Sequence, residues 1–502
     1  MRKGFLIVLV VALVAAMAAP ALAGMGVSGF IREKGYMSNF KNGATAPVLK
    51  QDAPTSAYVE QRLRVKFSFD EENVKAVWFL ETDFGAYGDA AGGTPVAIGS
   101  GTADNDIYGG GAQRNSGAAL GADRINLETK NIYIWFKIPN TSLDLTAGLQ
   151  NQSDAYAGLI YGGADMAGFF LNGKVEPVGF TLGWAKLYEN NYVKTDDVTL
   201  YVAAAKFAPS KDVKLGLNIY GLFDDSQKYV NGNTATGVQN LPFATTLASD
   251  TNTKRVWTPG IDVAFNAGPA TVTGFFIYQW GSVDYMQDNV TDLNISAYAL
   301  DLRADMNVGP GKMFLEGLYL SGGDNAEDKY KSIVTLNDVN ASPGGNSAFT
   351  RTDMSILFGN ADDINTNSAL IGAAAAPGSS YTSNSGVCVT SPGNCGRGIW
   401  HIAGGYTQKV TDKTTAKFGA GYLAATKLLV SDQGGTTAST SRKGKGMGTE
   451  INANVNYNIM KGLDFGLYGA YAWLGDFYKS GLTGASEPDN PYDLHFRLNY
   501  AF

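Results

Sequence analysis

The chain is short of several things that enzymes and helical membrane proteins need. It has only 2 Cys and 2 His in 502 residues. No Cys-x-x-Cys-His motif is present, so nothing attaches a c-type haem. A hydrolase needs a nucleophile, a base and an oxyanion site in one place. His495 stands near Asp493 in the sequence, but nothing marks a serine partner for it. The Gly-rich stretch Tyr108-Gly109-Gly110-Gly111 lacks the strand–loop–helix setting of a phosphate loop. The expectation is therefore no catalytic residue, no cofactor and no metal centre. The acid clusters Asp104 and Asp106, Asp324 to Asp328, and Asp362-Asp363 can bind a hard cation, but they fit no EF-hand spacing and read first as solvated loop acids. Basic charge is scarce as well. There are 39 Lys and Arg against 46 Asp and Glu, a net charge of -7, which argues against a nucleic-acid partner. After Ala23 no run approaches the ~18 apolar residues of a transmembrane helix. No internal repeat of fixed length appears, which argues against a solenoid or a propeller.

What is present begins at the N-terminus. Arg2 and Lys3 precede an apolar stretch, Phe5 to Ala19, and then Ala21-Leu22-Ala23. This order is that of a cleaved secretory signal peptide, residues 1–23, with a mature chain from Gly24. Removing Arg2 and Lys3 leaves 37 basic residues against the 46 acidic, a mature charge of -9. An exported chain without a spanning helix can enter a membrane only as a closed barrel, because every backbone polar group must be paired in lipid. With 62 Gly, 26 Tyr and 25 Phe and a mean hydropathy of -0.09, the composition suits a wall that is half polar and ringed by aromatics.

The last twelve residues show the pattern most plainly. Tyr492, Leu494, Phe496, Leu498, Tyr500 and Phe502 fall on one face; Asp493, His495, Arg497, Asn499 and Ala501 fall on the other. A period of two over this length is a strand with two unlike faces, long enough to cross a bilayer at a tilt. The ending Leu498-Asn499-Tyr500-Ala501-Phe502 resembles the closing strand of Gram-negative outer-membrane porins. In that family the terminal aromatic is part of the signal read by the barrel-insertion machinery.

The same alternation recurs along the chain. In the stretch Ser56 to Phe69, Val59, Leu63, Val65, Phe67 and Phe69 oppose Glu60, Arg62, Arg64, Lys66 and Ser68. In Gly448 to Ile459, Ile451, Ala453, Val455 and Tyr457 oppose Glu450, Asn452, Asn454 and Asn456. Eighteen such segments can be counted; sixteen is the alternative if a weak pair such as Ala167–Glu176 and Val178–Tyr188 is misread. Connections after even strands are short and those after odd strands long, the pattern of periplasmic turns and external loops. The expected fold is all-β: a transmembrane, antiparallel, up-and-down barrel filling residues 24–502, with both termini periplasmic.

Barrels of this size leave an aqueous channel. The first strand begins just after the cleavage site, which leaves no room for a folded plug ahead of it. The resemblance to porins implies passive diffusion of small hydrophilic solutes and ions across the cell outer membrane, lipid as the surrounding partner, and a homotrimer. It also implies that the third long loop, Gln152 to Met166, folds inward as a constriction carrying Asp154 and Asp165, although an ordinary external loop is the alternative. Opposite it, porins carry a basic ladder. Arg32 and Lys34, Arg62, Arg64 and Lys66, and Arg497 lie on the polar faces of strands that closure makes neighbours; independently solvated lumen charge is the alternative. A channel specific for a sugar or an organic anion, and a non-conducting adhesin, are the rival functions. Cys388 and Cys395 lie in the longest loop, 322–397, and an exported chain with two nearby Cys favours a disulfide there; free thiols are the alternative.

Overall fold

The structure is a computed structural model. It describes residues 24–40, 49, 51–84, 87, 127–189, 192–226, 252–285, 292–323, 329–336, 349, 351–359, 392–429, 433, 442–480 and 487–502. The expected signal peptide, Cys388, the side chain of Cys395 and the acid clusters at 104–106, 324–328 and 362–363 lie outside the described residues.

Alternation along the chain becomes a wall of eighteen antiparallel strands. They are β1 Met25–Ser38, β2 Ser56–Asp70, β3 Val74–Phe84, β4 Glu128–Lys137, β5 Asp144–Gln152 and β6 Ala164–Val175. Next come β7 Val178–Tyr188, β8 Val198–Ser210, β9 Val213–Asp224, β10 Asn252–Ala267, β11 Ala270–Tyr285 and β12 Leu293–Val308. The last third is β13 Gly311–Leu320, β14 Ile399–Lys409, β15 Thr414–Ala425, β16 Gly446–Met460, β17 Leu463–Leu474 and β18 Tyr492–Ala501. Each strand pairs with the next, and β1 pairs with β18 from Phe30↔Ala501 to Ser38↔Asp493. The ring is closed, so the wall has no free edge and neighbouring strands pair their backbone groups across the ladder. The expected barrel and its larger strand count are what the structure shows.

Short connections are 71–73, 138–143, 176–177, 211–212, 268–269, 309–310, 410–413 and 461–462. At Gly268 and Gly309 the backbone has φ of 62° and 57°, a left-handed conformation that only glycine adopts cheaply and that tight hairpins demand. The long connections run between odd and following even strands, from 286–292 up to 321–398. The alternation of lengths holds, although 138–143 is nearly as long as the shortest of the long set.

The two faces of the wall differ as the period of two requires. Val27 and Ile31 on β1, Ile132 and Ile134 on β4, Leu217 and Ile219 on β9, Leu300 and Leu302 on β12, and Ile451 and Val455 on β16 are large apolar side chains exposed on the outside. In a soluble protein such a continuous surface would drive association; around a closed barrel it is the lipid belt. The core sits on the inside. It is built where the third loop (L3, 153–163) and the described parts of the seventh (L7, 321–398) turn into the barrel and pack on the lumen face of β6 to β17, joined by Phe40 and Leu49 of the first loop and Phe477 and Tyr478 of the ninth.

Candidate functional site

L3 folds inward, and its geometry starts at Asp154. The Asp154 carboxylate accepts the backbone N–H of Tyr156 and Gly158 on one oxygen, at 2.7 and 2.8 Å, and of Ile160 and Tyr161 on the other, at 2.6 and 2.9 Å. Burial pushes this carboxyl up to about 6, against the pull of the four amides that stabilise its anion. The tightly wound loop then presents Tyr156, Leu159, Ile160 and Tyr161 to the wall, all fully buried. Tyr156 packs on Tyr220 of β9 and Phe275 of β11, with ring centroids 5.5 and 5.3 Å apart, and the Tyr220 hydroxyl accepts the Ala155 N–H at 3.0 Å. L3 is therefore fastened to the wall at β9–β11.

L7 is the second occupant, where the alternation of connection lengths predicts an external loop. Its first inward piece places Ile333, Val334 and Leu336 in the core. Gln279 of β11 clasps the Val334 backbone, its amide donating to the carbonyl at 2.8 Å and its oxygen accepting the N–H at 2.7 Å. The Leu336 N–H donates to the Ile160 carbonyl of L3 at 3.0 Å, so the two loops are joined. Just before this piece, Lys329–Tyr330 forms a two-residue strand parallel to β12, the one parallel pairing in the described sheet. The second piece, residues 351–358, is seated by side chains of three strands. Glu450 of β16 accepts the N–H groups of Ser355, Ile356 and Leu357 at 2.6, 3.0 and 2.9 Å. Asn452 donates to the Asp353 carbonyl at 2.7 Å, and Lys417 of β15 pairs with the Asp353 carboxylate at 2.5 Å. Arg303 of β12 donates to the Arg351 carbonyl at 2.6 Å, and Arg351 pairs with Asp301.

Magnitudes decide what holds this lobe. Met354, Ile356, Leu357 and Phe358, with Phe349 ahead of them, are buried, each contributing about 1.5–3 kcal/mol. A net hydrogen bond contributes about 0.5–1.5 kcal/mol. Apolar burial carries the lobe, and the polar contacts fix its position.

The expected basic sector lies on the other side of the lumen. Registers place Arg32 beside Arg62 and Lys34 beside Glu60 across β1–β2, and Lys34 beside Arg497 and Arg32 beside Asn499 across β1–β18. Closure thus brings Arg32, Lys34, Arg62 and Arg497 together, with Arg64 and Lys66 further along β2. Their environments differ. Lys34 is only 1% exposed, beside a Glu60 that is 2% exposed, and its ammonium sits 4.8 Å from the Tyr36 ring centroid, so it does not face water as a ladder residue should. Arg62 and Arg64 both reach Glu81 of β3, Arg62 at 3.6 Å, and Lys130 of β4 stands 4.0 Å from the same carboxylate. Arg64, Lys66 and Lys130 line a cavity of about 900 Å³ with Phe79, Tyr133 and Trp135.

The two acids expected opposite the cations are not arranged that way. Asp154 is turned into its own loop. Asp165 is not in L3 at all: it lies in β6, opposite Asn151, where it pairs with Lys130 at 2.7 Å and accepts hydrogen bonds from Asn131 and Asn151. Among the described residues, Glu60 and Glu81 are counter-charges that meet the basic sector. Both fall on the lumen side of their strands by simple alternation, which was the available signal. The signal for L7 was Met354-Ser355-Ile356-Leu357-Phe358, an apolar run inside a long polar loop.

A row of rings completes this side of the lumen. Tyr58 stacks on Tyr36 at 4.9 Å, Tyr36 meets His495 at 5.6 Å, and His495 stacks on Tyr468 at 4.6 Å, spanning β2, β1, β18 and β17. The Arg497 guanidinium lies 5.2 Å from the Tyr468 ring centroid, and His495 Nδ1 is 2.9 Å from Asp493.

A closed eighteen-stranded wall, apolar outside and polar within, defines a transmembrane β-barrel. Among solved structures the chain is similar to the Pseudomonas aeruginosa protein OpdL, at 8% identity and a TM-score of 0.51, over 96% of this chain and 99% of that one. It is also similar to P. aeruginosa OpdQ (9% identity, 95% and 98% covered, TM-score 0.49) and to the outer membrane channel DcaP of Acinetobacter baumannii (13%, 95% and 97%, 0.42). At such identities the OpdL likeness shows the barrel fold. No protein-family model and no curated protein matches the chain.

Proposed function

We propose that the chain is an outer-membrane channel that passes small hydrophilic solutes and ions by diffusion, not an enzyme. One observation carries this reading. L3 and L7 pack the lumen along β6–β17, while a cavity of about 900 Å³ against β2–β5 is lined by charged and polar side chains, Arg64, Lys66, Lys130 and Gln150 among them. A passage beside Arg32, Arg62, Arg64, Lys66 and Arg497 has low-dielectric walls that focus their field, so fixed charge there governs which ions pass. Glu81 and Glu60 temper that field, which favours a moderate anion preference.

A second reading, a channel selective for organic anions, is favoured by the Tyr58–Tyr36–His495–Tyr468 row. Tyr36 and His495 are buried within the row, so the half-buried Tyr58, Tyr468 and Arg497 are the groups that would meet a planar solute bearing negative charge. Assembly as a homotrimer belongs to the proposal too, and native mass spectrometry in mild detergent reads it directly.

Single-channel recording in planar bilayers tests the main reading. Stable conductance with a reversal potential on the anion side is expected. A folded barrel without conductance would leave the surface-adhesin reading in its place. Liposome swelling with sugars and with organic anions separates general diffusion from selectivity.

A further inference from the structure

The cavity of about 900 Å³ against β2–β5 is lined by cations, rings and amides together, and its size suits a small ligand. What each group still has to offer decides which ligand. Most of the charge is committed. Arg64 is held by Glu81, Lys130 by Asp165 at 2.7 Å and Lys75 by Asp70 at 2.9 Å, while Glu71 stands in the exposed turn after β2. Lys66 differs. It is half-buried in the same wall, and among the described residues it has neither a hydrogen bond nor an ion pair. The closest acid along its own strand face, Asp70, is the one that Lys75 holds.

The amides are committed too. Asn131 donates to the Lys130 carbonyl and to Asp165, Asn151 to the Gly163 carbonyl and to Asp165, and Gln150 to the carbonyls of Gly148 and Gly168. An amide has two protons to give, so these three have none left for a sugar. The rings, in contrast, are available. Lys66 stands opposite Phe79 in the β2–β3 ladder, and Tyr133 and Trp135 follow on the lumen face of β4, opposite Val77 and Lys75. All three rings are half-buried. The Trp135 indole is fixed by its N–H, which donates to Asp144 at 3.0 Å. The Tyr133 hydroxyl has no hydrogen bond among the described residues, and Gly148 opposite it adds no side chain to the space. Alternate side chains of a strand stand about 6.5–7 Å apart and neighbouring strands about 4.8 Å, so the rings form one strip beside the free ammonium.

We propose that this wall is a binding site for aromatic monocarboxylates, in which Lys66 takes the carboxylate and Phe79, Tyr133 and Trp135 take the ring. For its part in passage the site rests on the channel reading above, and it makes Lys66 the residue that sets the preference. One free ammonium matches one negative charge; a second carboxylate has to displace Glu81 or Asp165 from its own cation. An aliphatic acid gains the charge contact without the ring contacts. Fluorobenzoate, followed by fluorine NMR line broadening on the folded full-length barrel in detergent, tests the site without conductance. The natural chain should bind it. Lys66→Gln should weaken binding about tenfold, the scale of one charge-assisted contact, and Lys66→Arg should restore most of it. Tyr133→Leu should weaken it about threefold, the scale of one aromatic contact. Benzoate should displace the probe better than cyclohexanecarboxylate, and both better than acetate; this series needs only the natural chain. Absence of binding, full binding by Lys66→Gln, or acetate that competes as well as benzoate overturns the site. In planar bilayers benzoate should interrupt the current, with interruptions about tenfold shorter in Lys66→Gln. Conductance that benzoate never interrupts overturns the site and leaves the channel intact, whereas binding without conductance supports the site and overturns the channel.

Discussion

The two halves of the barrel look alike from outside and unlike from inside. β9 carries Leu217 and Ile219 to lipid, as β1 carries Val27 and Ile31. Inside, the β9 half meets Tyr156, Leu159 and the L7 lobe in a packed core, whereas the β1 half holds arginines, glutamates and a cavity. A strand's outer face is dictated by the solvent it meets, and that is lipid all round. Its inner face is dictated by whether a loop returns to cover it, as the described parts of L3 and L7 do along β6–β17. One wall therefore serves as the back of a globular core and as the side of a cavity lined by charge.

The largest expected contrast between the halves is in stability. Leu357→Ala empties a fully buried site in the L7 lobe and should cost about 2–5 kcal/mol. Arg62→Ala removes one of three cations around Glu81 and should cost less, about 1 kcal/mol, because Glu81 keeps Arg64 and Lys130 beside it. Urea titration of the folded barrel in detergent compares them. Equal losses would mean that L7 is not part of a core.

Slightly smaller is the contrast between faces of a single strand. Val455→Arg on the lipid side of β16 should impair folding into bilayers by about 2–4 kcal/mol relative to Asn454→Arg on the lumen side. Equal refolding yields would place the faces, or the strand, the other way round.

The field of the open half comes next. Arg62→Glu with Arg64→Glu should move the reversal potential toward cations, whereas Lys443→Glu with Lys445→Glu, on an exposed stretch of the eighth loop, should move it far less. Screening over about 8–10 Å makes distant loop charge weak, and low salt should enlarge both shifts. Two equal shifts would remove the basic sector from the constriction.

The smallest effect sharpens how the packed half is held. The Asp154 carboxyl is raised to about 6 by burial, so the folded barrel binds its proton more tightly than the unfolded chain does. Stability from this group is full below the unfolded value, about 4, and is lost as pH rises through about 6. Melting temperature should therefore fall modestly across that window in the natural chain. In Asp154→Asn the fall should vanish, with a lower plateau because an amide nitrogen now faces N–H donors. A variant that keeps the fall would assign it to another group.

The fold was legible because alternation is local. Six residues of β18 read by twos already separate Leu494 and Phe496 from His495 and Arg497, and closure then brings Arg497 beside Lys34. The candidate site was legible only in part, for a reason visible at Asp154. An aspartate before a Gly-containing loop gives no sign whether its carboxylate will face a pore or its own amides; four N–H donors converge on it only after the loop has wound. Asp165 was misread because β6 starts three residues earlier than its hydrophobic pattern suggests, at Ala164, buried under L3. The disulfide expectation at Cys388 and Cys395 is still to be tested, by thiol labelling of the unreduced, denatured chain.

By itself, the sequence determined the period-two strands, their apolar outer belt, the alternation of short turns with long loops, and which charged residues point inward, because a side chain's face depends only on its position along the strand. Tertiary structure decided which half of the lumen is filled and which charges remain at water. Those outcomes depend on where L3 and L7 come to rest, and the contacts that seat them, such as the Tyr156 ring on Phe275 and the hydrogen bonds of Gln279 to the Val334 backbone, join residues far apart in the chain that no local pattern pairs.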